Sequence, residues 1–160
     1  MRAACARYVR KLLTESVREP PDTDSADMVV LAGVISDRLA HRNDSETFSV
    51  LEVGCGKGAV PHMLNRHDFA PRIRYHGIDI DSNTVNLLQA TSRRWKRLGE
   101  FRATLIDVGA LACRGEAYDV VVCECALKSA NARKFSRAPR FAPPFKTETV
   151  LLGGGAWVMT

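Results

Sequence analysis

The stretch LEVGCGKG, residues 51–58, places an acid near the end of an apolar run and follows it with three glycines spaced one residue apart. Such a run reads as a strand that turns sharply into a helix, with bare backbone where a ligand can lie against the main chain. FSVLEV (48–53) supplies the strand and AVPHMLNRH (59–67) the helix. Pro61 falls in the first turn of that helix, where an amide hydrogen has no partner to lose. Strand and helix then alternate: IRYHGIDI (73–80) as strand, NTVNLLQATSRRWKRLG (83–99) as a helix stopped by Gly99, then FRATLIDV (101–108), YDVVVCEC (118–125) and AWVMT (156–160) as strands. Short apolar strands separated by helices call for an α/β fold, a doubly wound, mainly parallel sheet of about five strands with helices on both faces. In such sheets ligands bind at the carboxyl ends of the strands, where the strand order reverses. The glycine turn therefore stands at the mouth of a site.

Ahead of this core, residues 2–18 read as an amphipathic helix, EPPDTDSAD (19–27) as a polar connection, and residues 25–41 as a second helix carrying Met28, Val29, Leu31, Ala32, Ile35 and Leu39. The expected organisation is a single domain over 1–160, with N-terminal helices in 1–42 and the α/β core in 48–160. At 160 residues and 46% hydrophobic content, one core is the default. No run approaches the roughly 20 apolar residues that span a bilayer, so no membrane association is expected. A cytoplasmic location follows, although Arg2, Arg7, Arg10 and Lys11, with no acid before Glu15, keep organellar import open. The cysteines at 5, 55, 113, 123 and 125 form no CxxC pair and point to a reducing compartment. His41, His62, His67 and His76 make no ligand array, so no metal is assigned. A net charge of +5 is compatible with a phosphate-bearing partner but decides nothing by itself.

Gly54, Gly56 and Ala59 also satisfy G-x-G-x-x-A, with Asp79 at a suitable distance for a ribose, a weak match on its own that makes an NAD(P)-dependent oxidoreductase the alternative enzyme class. Glu52 argues against that choice. Two residues before the first glycine, its carboxylate would repel a pyrophosphate but suit a ligand that carries an ammonium and a sulfonium. Together with GIDID and LIDVGAL, the turn resembles the first motif of the class I S-adenosylmethionine-dependent methyltransferases, an acid followed by glycines as at Glu52, Gly54, Gly56 and Gly58. AYDVVVCECAL is similar to that family's fourth strand, and VLLGGGAWVMT to the turn before its fifth. The resemblance implies S-adenosyl-L-methionine as cofactor, with Asp79 taking both ribose hydroxyls and Asp107 contacting the adenine amino group. Cys55 lies within the glycine turn, and Ile80, Val108 and Leu111 are candidate walls for the adenine ring, each of which suits a core position equally well. Glu52, Asp79 or Asp81 could instead serve as helix caps, and Asp81 with Ser82 is assigned to capping.

Methyl transfer from a sulfonium is an in-line displacement in which alignment and desolvation supply much of the acceleration, so a catalytic triad is not required. The acceptor should approach at CECALK, beyond the fourth strand. That stretch lacks the Asn or Asp, paired prolines and aromatic that amine-modifying members place there, which disfavours a nucleobase amine. Glu124 could take a proton from a hydroxyl or thiol acceptor, or simply cap or face solvent. Cys123 has no identifiable histidine partner and is not read as a nucleophile. NARKFSRAPRFAPPFKTET (131–149) interleaves Arg and Phe in a way that suits an anionic or aromatic substrate, single-stranded nucleic acid included, or serves as a charged, soluble loop. RRWKRLGEFR (93–102) raises the same two readings, with Trp95 and Leu98 turned inward. The acceptor stays open among small molecules, RNA and protein. Because the sequence ends at Thr160 within an apolar strand, the expectation is either a fragment or a strand edge covered by a partner or a second copy. A truncated or non-catalytic cofactor-binding subunit is the alternative to a complete enzyme.

Overall fold

Strand β1 (Phe48–Val53) lies between β2 (Ile73–Asp79) and β4 (Val120–Val122), and β3 (Glu100–Leu105) flanks β2, giving four parallel strands in the order β3-β2-β1-β4. The structure is a computed structural model that describes residues 25–106, 110, 116–123, 150–151 and 157–158. The order reverses at β1, the strand that leads into the glycine turn, as a doubly wound sheet requires. Among the described residues three helices accompany the sheet: α1 (Ala26–Ala40), α2 (Ala59–Leu64) and α3 (Ser82–Thr91). The helix expected over 2–18 lies outside the described residues. No helix among the described residues is long and apolar enough to cross a membrane.

Alternation along the strands sorts side chains onto two faces. Phe48, Val50, Ile73, Tyr75, Ala103, Val120 and Val122 share one buried cluster with residues from all three helices. Helix α1 enters it through Met28, Leu31, Ala32, Ile35 and Leu39, a helical stripe. Val29, read from the sequence among the apolar positions, points outward and is 64% exposed. Burying side chains such as Phe48 or Ile35 contributes about 1.5–3 kcal/mol each. The opposite face carries Leu51, Val53, Ile78 and Cys123 with Tyr118. There, His76 shares hydrogen bonds at Nδ1 with Tyr118 Oη (2.5 Å) and at Nε2 with Thr104 Oγ1 (3.0 Å). Tyr118 donates to Glu116 Oε2 at 2.6 Å, and Arg102 pairs with the same carboxylate. The Tyr118 bond and then Arg102 hold Glu116 below the usual carboxylate range.

Helix α3 ends eight residues before Gly99, earlier than the sequence suggests. Thr91 Oγ1 turns back to the carbonyls of Leu87 and Leu88 (2.9 and 3.2 Å), and a 3₁₀ turn over Ser92–Arg94 follows. That change of path sends Trp95 and Leu98 into the core, at 4% and 8% exposure. Gly99 is not a helix stop: its amide donates to Ala70 O, and a Cβ there would lie 2.3 Å from Pro71 O. The strand expected at 156–160 is also placed differently. β6 (Trp157–Val158) pairs antiparallel with β5 (Val150–Leu151) in a separate two-stranded sheet, so among the described residues the parallel sheet has four strands rather than about five. Five residues separate the two strands, a length that permits a hairpin but not the crossover a parallel neighbour needs.

Asp119 fixes the start of β4 against β1. Its Oδ2 accepts from the amide and hydroxyl of Ser49, both at 2.7 Å, and Oδ1 accepts from Arg42 Nη2 at 2.5 Å. Burial opposes its charge, but the Arg42 and Ser49 bonds outweigh it and leave the pKa below the ordinary value. A depressed folded pKa means stability that is present above the unfolded value of about 3.9 and lost as pH falls through the folded one. Asp119→Asn should therefore cost about 2 kcal/mol at neutral pH and flatten the acid-side loss of stability below about pH 4. Urea unfolding across pH checks both; equal stability of variant and parent at pH 7 would refute the latch.

Candidate functional site

The three glycines of the turn adopt positive φ, +78° at Gly54, +47° at Gly56 and +81° at Gly58. No non-glycine residue among those described does so. Positive φ alone favours glycine, and Gly58 has a second reason: a Cβ there would meet Leu88 Cδ1 at 2.8 Å and Trp95 Cζ2 at 3.0 Å. The turn is tied to β2, because the amides of Gly54 and Cys55 both donate to Ile78 O, at 2.8 and 3.1 Å. Gly58 N closes it onto Cys55 O at 3.0 Å, and Gly58 O accepts the first bond of α2 from His62 N.

Glu52 and Asp79 flank this turn from neighbouring strands. Glu52 pairs in register with Gly77, is 3% exposed, and accepts a hydrogen bond from the Tyr75 phenol. Tyr75 sits two residues before Gly77 on the same face, and the missing side chain at 77 gives it room, since a Cβ there would stand 2.6 Å from its oxygen. Burial, then the Glu52 charge, pushes the Tyr75 pKa well above its ordinary value, so the phenol keeps its proton as donor. Cys55 closes the other side of the gap, with Cβ and Sγ 2.8 and 3.1 Å from the same position. Its thiol is buried and its pKa is raised by burial and then by Glu52 and Asp79, so it contributes backbone and packing rather than a nucleophile.

Asp79 is half-buried at the carboxyl tip of β2. Its Oδ1 accepts from Asp81 N at 2.9 Å and its Oδ2 from Gly56 N at 3.4 Å, so one carboxylate joins the glycine turn to the entry of α3. A carboxylate offers about four acceptor positions, which leaves two for hydroxyl donors. Asp81 is the N-cap of α3, accepting from Asn83 N at 3.0 Å and from the Thr84 hydroxyl at 2.9 Å. Those bonds, the Asn83 amide foremost, lower its pKa. Ile80, beside Asp79, is 71% exposed, an apolar surface with nothing folded over it among the described residues.

The structure thus brings Glu52, Gly54, Cys55, Gly56, Gly58, Asp79 and Ile80 to one end of the sheet. Asp107, Val108, Leu111 and Glu124 lie outside the described residues, as does 131–149. Cys123 is described, as a buried thiol just past β4. Among the described residues no cluster of three or more His, Cys, Asp or Glu is placed to hold a metal. Sequence reasoning missed Tyr75, whose role depends on the strand register. A cleft at the amino ends of the strands is lined by Arg74, Glu100, Arg102 and Glu116, whose charges pair with one another, and lies away from the turn.

A family model described as a methyltransferase domain matches residues 51–138. No curated protein sequence matches the chain. Among solved structures, DszA carbon methyltransferase is similar at 21% identity over 76% of this chain, with a TM-score of 0.52. YjhP from E. coli aligns over 87% at 15% identity and TM-score 0.52, and the 16S rRNA methylase ArmA over 89% at 18% and 0.50. The chain spans 32%, 53% and 74% of those chains respectively. At these identities the likeness is one of fold.

Gly58→Ala is expected to destabilise the protein more than Gly56→Ala, whose added Cβ meets only Gly54 O at 3.8 Å. Left-handed strain alone costs about 1–3 kcal/mol, and crowding against Leu88 and Trp95 adds about as much again. Chemical unfolding of the two variants gives the comparison; equal losses would contradict the packing at Gly58.

Proposed function

The chain belongs to the methyltransferase domain family, and we propose that it binds S-adenosyl-L-methionine at the glycine turn and passes the methyl group to an acceptor. The observation that carries this reading is Asp79: a partly exposed carboxylate bonded to the turn it faces, with no cation paired to it among the described residues. Such a group suits the two hydroxyls of a ribose. The residues present fit this cofactor in charge as well. A buried carboxylate at Glu52 and a half-buried one at Asp79 give the strand ends a negative potential that favours a ligand carrying ammonium and sulfonium charge and disfavours a dinucleotide pyrophosphate.

In this reading Asp79 accepts from the ribose, Ile80 provides an apolar surface for the adenine, and the backbone of Gly54–Gly58 lies along the rest of the ligand. The cofactor, once bound, supplies a methyl group activated by its positive sulfur. The chain's part is to orient that group, work that needs positioning rather than proton transfer. Asp107 and Val108 would complete the adenine side, and Glu124 would face the acceptor. The acceptor is a small molecule, RNA or protein.

Calorimetry with S-adenosylhomocysteine tests the assignment. Asp79→Ala should weaken binding more than tenfold, about 1.4 kcal/mol. Unchanged affinity removes Asp79 from the site, and tight NADH binding without S-adenosylhomocysteine binding sinks the reading altogether.

A further inference from the structure

Where the glycine turn, α2 and the end of α3 meet, a shallow pocket is lined by Lys57, Gly58, His62, Thr91, Arg94 and Trp95. Among the described residues no carboxylate lines it. Several other arginines of the described surface are matched to acids: Arg42 with Asp119, Arg74 with Glu100, Arg97 with Asp68 and Arg102 with Glu116. Lys57, His62 and Arg94 have no acidic partner among the described residues, and neither do the exposed Arg93 and Lys96 beside them in sequence. Trp95 closes the inner side of the recess. Trp95 is 4% exposed, and its indole Nε1 is a buried side-chain atom without a hydrogen-bond partner.

We propose that this pocket is a phosphate-binding site that seats the backbone of a single-stranded nucleic acid. An ammonium, a guanidinium and a histidine around one recess, with no counter-charge, match a phosphate diester in sign and in hydrogen-bond donors. Arg93 and Lys96 extend the positive surface beyond the pocket, so a chain of phosphates is served better than one. A flexible strand can lay one phosphate over the mouth of the recess while its neighbours pass over the flanking cations. The Trp95 ring lies beside Gly58 and against Phe101 and is buried away from base stacking, so the contact reads charge and not sequence. The inference goes beyond the cofactor assignment and does not depend on it.

The test is anisotropy of a labelled single-stranded oligouridylate titrated with the full chain at several salt concentrations. Binding should weaken with salt, and Lys57→Ala/Arg94→Ala should lose about tenfold in affinity and lower the log–log salt slope by about 0.7 for each phosphate contact removed. Arg94→Ala alone, at an exposed position away from the turn, should show half the change in slope with an unaltered unfolding midpoint. Absence of binding, or binding that the double variant leaves intact, overturns the proposal. Polyglutamate bound as tightly as the oligonucleotide, or inorganic phosphate competing at the oligonucleotide's own concentration range, overturns the nucleic-acid assignment. S-adenosylhomocysteine calorimetry on the same samples reports on the cofactor reading separately.

Discussion

The hydrogen bond from Tyr75 to Glu52, made across the gap at Gly77, is the constraint on which the site rests. A carboxylate inside a sheet is costly unless its oxygens are paired. The phenol meets that need only because the residue opposite Glu52 has no side chain. The same gap receives Cys55, so the first residues after β1 are set down on β2. From there the amides of Gly54 and Cys55 converge on Ile78 O, and the positive φ angles of the three glycines follow. The turn is fixed by contacts within the protein, which leaves no ordering cost to a ligand that lies against it.

Charge is divided about that turn. Glu52 and Asp79 make one side negative, and Lys57 with Arg94 makes the pocket beside α2 and α3 positive. Asp79 serves two ends at once, since the oxygens that accept from Gly56 and Asp81 also hold the turn at a set position relative to α3. A cofactor contact made by such a group would be pre-organised. The Asp119 latch, on the far end of β1, acts elsewhere in the sheet. It aligns β4 beside β1.

Much of this was legible in the sequence. The bounds of β1 at 48–53 and the glycine turn follow from an apolar run that stops at glycines, and the Asp81 cap follows from an acid placed just before a helix. Trp95 and Leu98 turn inward as their spacing suggests. The break of α3 at Thr91 was hidden, because the helical pattern runs on while a hydroxyl and a buried indole redirect the chain. Tyr75 was hidden for another reason. Its partner is 23 residues away and depends on parallel register, which no local pattern encodes. The separate β5–β6 pair reflects a short connection overriding an apolar strand's suitability for the parallel sheet.

The most direct measurement is a crystal structure of the chain with S-adenosylhomocysteine. The account places both ribose hydroxyls within hydrogen-bond distance of the Asp79 carboxylate, with the ligand along the Gly54–Gly58 backbone and the Tyr75–Glu52 bond intact beneath it. A nucleoside bound away from the carboxyl ends of β1 and β2, or a ribose without contact to Asp79, would contradict it.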